Sequence, residues 1–402
     1  MNPAALIAQL RSVPTTLGQP ESGPYRVARP RMTRDDRRLP RNAARHLQRD
    51  AYPEDEPMTP LTNRPPYQLF VGIDIAATTF TAVWTTDGPP RERARPFAQT
   101  PAGFAALQDQ LRATGVAPAH ILIVVEATGS YWVALAVCLH QAGYVVSVVN
   151  PAQAHNYAKS LPRRAKTDVL DAPVLAQFAA ERKPAPWTPP PAVYHELRQR
   201  LVARDALLEM RQQARNQRHA LLQWPIVIES VKTHLDGVIM ELDQRVAALD
   251  AEVAQVLVDG AWAESATLLL SITGIGLVTT AWLLVGTLNF AGCASVASAA
   301  AYVGLVPLAH ESGSSVRGRA QIGHGGHKRL RTALYLATLT AARFNPIIKA
   351  HYERLRAAGK PMKVARCAAA RKLLHLAWAV VTKRQPFDPA YRERLVEERL
   401  AA

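Results

Sequence analysis

The stretch Tyr67–Ala76, YQLFVGIDIA, decides the fold. Its apolar and β-branched residues run almost unbroken, as in a strand buried on both faces. One carboxylate, Asp74, stands inside it. Thr79–Thr86 (TFTAVWTT) has the same character, and only a tight turn around residues 76–78 separates the two, so the pair reads as a β-hairpin. A Thr-Pro start predicts a helix over 100–114. HILIVVEAT at 120–128 is another buried strand, a helix follows over 131–142, and GYVVSVVNP at 143–151 is a further strand. A hairpin followed by alternating helix and strand is the pattern of an α/β sheet domain. It ends near Arg182, before the proline-rich linker KPAPWTPPP at 183–191.

Beyond the linker the pattern changes. Residues 195–258 read as long helices, and Leu235, Ile239, Leu242, Val246, Leu249, Val253 and Val256 alternate steps of four and three, a heptad seam. The seam suits either a hairpin within one chain or a coiled coil between chains. Arg198, Arg200, Arg204, Arg211, Arg215 and Arg218 follow nucleic acid or simply face solvent. Residues 263–385 read as a third, mostly helical region, where SITGIGLVTT (271–280) has the form of a helix-hairpin-helix turn, able to approach a phosphate or to serve packing. RKLLHLAWAVV (371–381), preceded by GKPMKVARCAAA (359–370), is an amphipathic helix that offers Lys363, Arg366, Arg371 and Lys372 to a backbone or packs on the rest of this region. Upstream, residues 1 to about 65 are rich in Arg and Pro with few periodic apolar positions. They read either as a disordered basic arm or as sequence ahead of a true start at Met58.

The chain has 402 residues and a formal net charge of +16, which points to a polyanionic partner, most simply nucleic acid. Cys138, Cys293 and Cys367 are far apart and lack a CxxC partner, which argues against a disulfide framework or zinc site and suits a reducing cytosol. Neither a membrane span nor a secretory signal is recognisable.

Four acids stand out. Asp74 lies within one apolar strand, Glu126 ends another, and Asp168 and Asp171 sit three apart in AKTDVLDA (165–172). A charge in a buried strand is costly unless it is paired or binds a metal. Taken singly, each acid is explained by a salt bridge or an exposed helix face. Together they form the hard-oxygen environment that Mg²⁺ (or Mn²⁺) prefers, suited to phosphodiester cleavage. On a helix Asp168 and Asp171 would share a face. Pro173 suggests instead that the helix starts at Asp171, with Asp168 in the preceding loop.

A second motif lies in HESGSSVRGRAQIGHGGHKRLRTALY (310–335), which is polar, glycine-rich and basic. Ser312, Ser314 and Ser315 are candidate nucleophiles. Arg317, Arg319, Lys328, Arg329 and Arg331 are candidate phosphate-binding groups. Serine needs activation to attack, and composition alone defines only a basic loop.

The fold and the acids resemble the RNase H/RuvC superfamily. VGIDIA, VVEATGSYW, VVNPAQAHNYAKSLPRRAKTDVLDA and AYVGLVPLAHESGSSVRGRAQIGHGGHKRLRTALYLATLTAARFNP narrow the resemblance to the DEDD transposases of the insertion-sequence one-ten family, which includes pilin-gene inverting recombinases. The resemblance covers roughly residues 67–389. It implies that Asp74, Glu126, Asp168 and Asp171 are the metal-binding D-E-D-D set. It implies too that Ser312 is the residue that attacks DNA, giving a phosphoserine link later resolved by a DNA hydroxyl. Metal site and serine would come from separate domains, of one subunit or of two. Implied partners are double-stranded DNA at element ends and target, a structured element-encoded guide RNA, and further copies of the chain as a dimer or tetramer, in the bacterial cytoplasm at the nucleoid.

The expected architecture is therefore an α/β RNase H/RuvC-like domain, a long helical coiled-coil segment and a mostly α-helical C-terminal domain. The expected boundaries are a basic arm at 1–65, a RuvC-like domain at 66–185, a coiled-coil linker at 186–260, a serine transposase domain at 261–390 and a tail at 391–402. Two rivals use parts of the same evidence. A metal-dependent junction resolvase needs the acids but no serine, and a non-catalytic nucleic-acid-binding protein needs neither.

Overall fold

The computed structural model describes residues 67–127, 129–161, 171–308, 311–312, 316–318, 321–323 and 325–391. The expected basic arm, Asp168, Ser314, Ser315, Arg319 and residues 392–402 lie outside them. The chain divides into two compact units that meet in sequence at Pro189 and Pro190, close to the linker read from the prolines.

The first unit is a five-stranded mixed sheet in the order β3-β2-β1-β4-β5. Its strands are β1 (Leu69–Ile75), β2 (Thr79–Thr85), β3 (Arg95–Ala98), β4 (Ile121–Glu126) and β5 (Val145–Val149). β1 and β2 form the expected antiparallel hairpin, closed by a hydrogen bond from the Ala76 N–H to the Thr79 carbonyl at 2.8 Å. β1, β4 and β5 run parallel. Helix α1 (Pro101–Arg112) starts at the expected Thr-Pro, where the Thr100 hydroxyl accepts from the Gly103 N–H. Helix α2 spans Trp132–Gln141. A strand and a helix of this unit were not read from sequence. β3 contains Pro96, which a strand tolerates at the sheet edge that β3 occupies. Helix α3 (Pro151–Ser160) is announced by Asn150-Pro151, with the Asn150 side chain accepting from the Ala152 N–H.

Strand alternation sorts the core into two layers. Leu69, Val71 and Ile73 pack with Ile121, Ile123 and Val125 against Leu107 of α1 and Leu135 and Leu139 of α2. Phe70, Leu122 and Val124 point the other way, onto Tyr157 of α3 and Val174, Leu175 and Phe178 of the next helix, α4 (Ala172–Arg182). Gly72 shares this second face. A Cβ placed there would collide with the Ala172 carbonyl oxygen and the Ala176 nitrogen and lie 2.8 Å from the Leu175 carbonyl carbon. The glycine thus lets the start of α4 press against β1. Gly72→Ala is expected to lower stability by about 1–3 kcal/mol, the usual cost of overpacking a dense core, read as a shift of the denaturation midpoint.

The second unit is helical. It begins with α5 (Ala192–Leu221) and α6 (Glu229–Asp259), followed by α7 (Ala263–Leu270), α8 (Leu277–Thr287), α9 (Val296–Val303), α10 (Lys328–Phe344), α11 (Pro346–Ala357) and α12 (Met362–Lys383). Its core gathers Leu197, Leu201, Val253, Leu269, Leu283, Leu334 and Leu373. α5 and α6 form an antiparallel hairpin within the chain. All seven residues of the heptad seam are buried or half-buried.

Arg204, Arg211 and Arg218 repeat every seventh residue on α5, as Asp250, Asp243 and Asp236 do in the opposite direction on α6. They pair accordingly, Arg204 to Asp250 at 2.5 Å, Arg211 to Asp243 and Arg218 to Asp236. Arg200 reaches Glu252 at 2.9 Å and Arg215 also reaches Asp243 at 3.1 Å. Most of these pairs are partly exposed, each worth about 0.2–1 kcal/mol, so they fix the register of the hairpin more than its stability. Five of the arginines offered to nucleic acid by sequence are thus paired across the hairpin, and Arg198 lies over the Tyr194 ring. The 271–280 turn is used in packing. A Cβ on Gly274 would lie 2.5 Å from Ala341 Cβ of α10, and the Asn345 amide donates to the Thr273 carbonyl at 3.1 Å. No single helix among the described residues is long and apolar enough to cross a membrane.

Candidate active site

The sheet brings Asp74 and Glu126 to the same edge. β1 and β4 are paired in parallel up to Ile73 and Val125, and the next residue on each strand is the acid. Both acids follow the alternation of Gly72 and Val124, so they face the layer that holds α4. They stand at the carboxyl ends of adjacent parallel strands, where α/β sheets open their binding crevices. Asp171 arrives from the helix. It is the N-cap of α4, in extended backbone, and its carbonyl accepts from the Val174 N–H at 3.0 Å. Its Oδ1 is buried. Because Gly72 admits the first turn of α4 against β1, this cap lies beside the strand that carries Asp74. The helix begins after Asp171, as Pro173 suggested, and the shared-face argument for Asp168 and Asp171 gives way to a cap position.

The acids act on one another. Burial pushes the Asp74 carboxyl above the ordinary aspartate range. The Glu126 charge pushes it further, a hydrogen bond from the Ile75 backbone works against this, and Asp171 adds to the rise. Such a site holds concentrated negative charge that a cation would relieve. The donor chemistry, oxygen from three carboxylates, is the kind that hard divalent ions take. Among the described residues, however, no group of three or more His, Cys, Asp or Glu is gathered tightly enough to hold an ion as it stands. Asp168, the fourth acid expected here, is outside them.

In the second unit the described part of the serine motif consists of two short antiparallel strand pairs, referred to as the serine arm. β6 (Pro307–Leu308) pairs antiparallel with β9 (Gln321–Ile322). Nested inside, β7 (Glu311–Ser312) pairs antiparallel with β8 (Val316–Arg317), Ser312 opposite Val316. Ser312 therefore stands at the end of the arm, where the chain reverses.

The base of the arm is clasped. The His327 N–H donates to the Tyr302 carbonyl at 2.9 Å. Arg331 donates to the Gly325 carbonyl at 2.6 Å and to the Val303 carbonyl at 3.4 Å. Gly304 and Gly326, both with left-handed backbone, meet there, and a Cβ on Gly326 would lie 2.6 Å from the Gly304 nitrogen. His327 caps α10, its Nδ1 accepting from the Leu330 N–H at 3.2 Å. Its ring lies 6.1 Å from those of Trp282 and Tyr302, and burial lowers its pKa. Among the described residues, two of the cations expected to hold phosphate have intramolecular partners: Arg331 in this clasp, and Arg329 with Asp205 at 3.2 Å and Glu209 at 2.9 Å. Lys328 opens α10. The clasp was not read from sequence, although the spacing of Gly304, Gly325 and Gly326 around the arm was its visible trace.

Comparison with known proteins finds matches in both units. A DEDD transposase family model of IS110, described as "Transposase", matches residues 71–224. A second, "Transposase IS116/IS110/IS902 family", matches residues 266–353. The pilin gene-inverting proteins of Moraxella lacunata and Moraxella bovis are each 32% identical over 328 residues, 81% of this chain and 99% of theirs. An "Insertion element IS900 uncharacterized 42 kDa protein" of Mycobacterium paratuberculosis is 29% identical over 179 residues, 44% of either chain. Fold, motifs and matches define a transposase, an enzyme of DNA recombination. The chain belongs to the IS110 family of transposases.

Proposed function

We propose that this transposase cuts and rejoins DNA by pairing an RNase H/RuvC-like carboxylate site with a nucleophilic serine, so as to excise, integrate or invert a DNA segment. The observation that carries the proposal is the convergence of Asp74, Glu126 and Asp171 on one face of the sheet, with mutual repulsion felt at Asp74. In this reading Asp74, Glu126, Asp168 and Asp171 hold Mg²⁺ or Mn²⁺. An ion held there would supply charge stabilisation to the reacting phosphate. Ser312, at the end of its arm, supplies the attacking oxygen. A new bond forms between Ser312 Oγ and phosphorus, the bond to one DNA oxygen breaks, the serine proton goes to a base or water, and the departing oxygen takes up a proton. Attack by a DNA hydroxyl on the phosphoserine then restores the serine and joins the new strand.

Arg317, in β8, and Lys328, at the start of α10, are assigned to phosphate together with Arg319, which lies outside the described residues. Arg329 and Arg331 combine that role with holding the arm. The action of the chain as a multimer on double-stranded DNA, under direction of a structured RNA and in the bacterial cytoplasm at the nucleoid, rests on the family resemblance. The test is recombination between two cognate element ends on a plasmid. Product formed with Mg²⁺, and lost on chelation and restored by Mn²⁺, supports the reading. Product indifferent to divalent ions contradicts it.

The clasp makes a separate prediction. Arg331→Met keeps length but removes the donors to Gly325 and Val303. If Arg331 positions the arm, cleavage falls about 10²-fold, the scale of a small misplacement of reacting groups. DNA affinity then falls no more than in Lys328→Met. An equal loss of affinity and cleavage would mark Arg331 as a plain phosphate contact.

A further inference from the structure

We propose that the cleft bounded by α11, α12 and the segment that follows α12 is a binding pocket for a single unstacked nucleotide, the base inside and the phosphate at the rim. The cleft encloses about 790 Å³, a size suited to a small organic group and far more than a lone phosphate needs. Ile347 of α11, Leu376 and Ala379 of α12, and Phe387 make its walls apolar. Three cations line it, Arg354, Lys372 and Lys383, against one acid among the lining residues, Asp388. The Asp388 carboxylate already accepts from the Ala390 N–H at 2.9 Å.

Two further groups fit a nucleotide better than a structureless anion. Tyr391 lines the cleft, with the Lys383 ammonium 4.8 Å from the centre of its ring and 3.1 Å from its hydroxyl. That arrangement pins an aromatic face on which a base can stack. His351 lies 3.2 Å, through Nδ1, from an Arg354 nitrogen. A guanidinium can only donate, so Nδ1 accepts and the proton sits on Nε2, leaving a neutral ring with a donor for a base edge or phosphate oxygen. Burial, and then Arg354 and Lys372, lower its pKa in the same sense. An apolar slot, an aromatic face and a cationic rim together are how single-stranded nucleic acid is held without reading sequence. The choice of a nucleic acid as the anion rests on the chain being a transposase. The pocket is otherwise independent of the serine and the carboxylates.

The test is photo-crosslinking of the full-length protein to a single-stranded oligonucleotide carrying 5-iododeoxyuridine, with adducts mapped by peptide mass spectrometry. The expected adducts fall on Phe387 or Tyr391. Ala379→Phe, which fills the slot and keeps the rim charges, is expected to lower their yield at least tenfold. Lys372→Glu should lower it several-fold more than Lys349→Glu, the same charge change at an exposed position of α11 outside the cleft. Should Ala379→Phe melt at a lower temperature than wild type, the two lysine variants decide, together with competition. Adenosine monophosphate should displace the oligonucleotide at a concentration where inorganic phosphate does not. Equal competition by phosphate overturns the assignment to a nucleotide. So do cleft adducts that persist in a folded Ala379→Phe protein. Adducts confined to the serine arm, or found nowhere, overturn the pocket and leave the transposase chemistry standing.

Discussion

Asp74→Asn should leave a folded protein that recombines DNA at least about 10³-fold more slowly than wild type. The substitution preserves shape and removes one charge from the set assigned to the metal, whose stabilisation of the reacting phosphate is worth several kcal/mol. A loss of activity alone would also follow from misfolding, so stability is the discriminating measurement. Burial and two like charges raise the Asp74 pKa in the folded chain. The folded state therefore holds its proton more tightly than the unfolded state does. Stability from this group is present below the unfolded aspartate value and is lost as pH rises through the folded one. At neutral pH the charged aspartate weakens the metal-free fold, and Asp74→Asn should melt at a higher temperature than wild type without divalent ion. Added Mg²⁺ should raise the melting temperature of wild type more than that of the variant. A variant that is inactive and melts lower in the absence of metal would mean that Asp74 is a structural residue.

Ser312→Ala should have the second large effect. Removing a serine nucleophile whose partners remain in place costs about 10⁴-fold or more in rate. Ser312 pairs through its backbone in a two-residue strand, opposite Val316, and an alanine keeps that pairing. If the hydroxyl serves chemistry alone, stability should change by no more than about 0.5 kcal/mol, and DNA affinity should stay within a few-fold of wild type. Substitution of Ser314 or Ser315 should be tolerated if Ser312 is the nucleophile. Full activity in Ser312→Ala, with loss in either of the others, would move the nucleophile along the arm.

The acids were legible in the sequence because a carboxylate inside an apolar strand is costly enough to demand a reason, and Asp74 and Glu126 each break such a run. That they lie side by side follows from one further fact, the parallel pairing of β1 with β4. Asp171 was harder. Its place depends on Gly72 admitting α4 onto the sheet, a contact between residues a hundred positions apart that no local pattern carries. Pro173 did announce the helix start, and that reading held. The heptad on α6 was visible, but not its partner. Arg204, Arg211 and Arg218 look like a nucleic-acid stripe until α5 folds back and sets Asp250, Asp243 and Asp236 opposite them. The partners of Arg329 and Arg331 were equally hidden, because a basic run shows charge and not what meets it. The edge strand β3, short and broken by Pro96, gave no alternation to read.

The central claim is that a serine of this transposase becomes covalently linked to DNA. The measurement is a denaturing gel of the protein incubated with Mg²⁺, labelled element-end DNA and the flanking RNA, followed by peptide mapping of any linked species. The account predicts a denaturation-resistant protein–DNA adduct with the phosphate on Ser312, absent in Ser312→Ala and in Asp74→Asn. Cleaved DNA without an adduct, unchanged in Ser312→Ala yet abolished by Asp74→Asn, would contradict it and leave a metal-dependent nuclease.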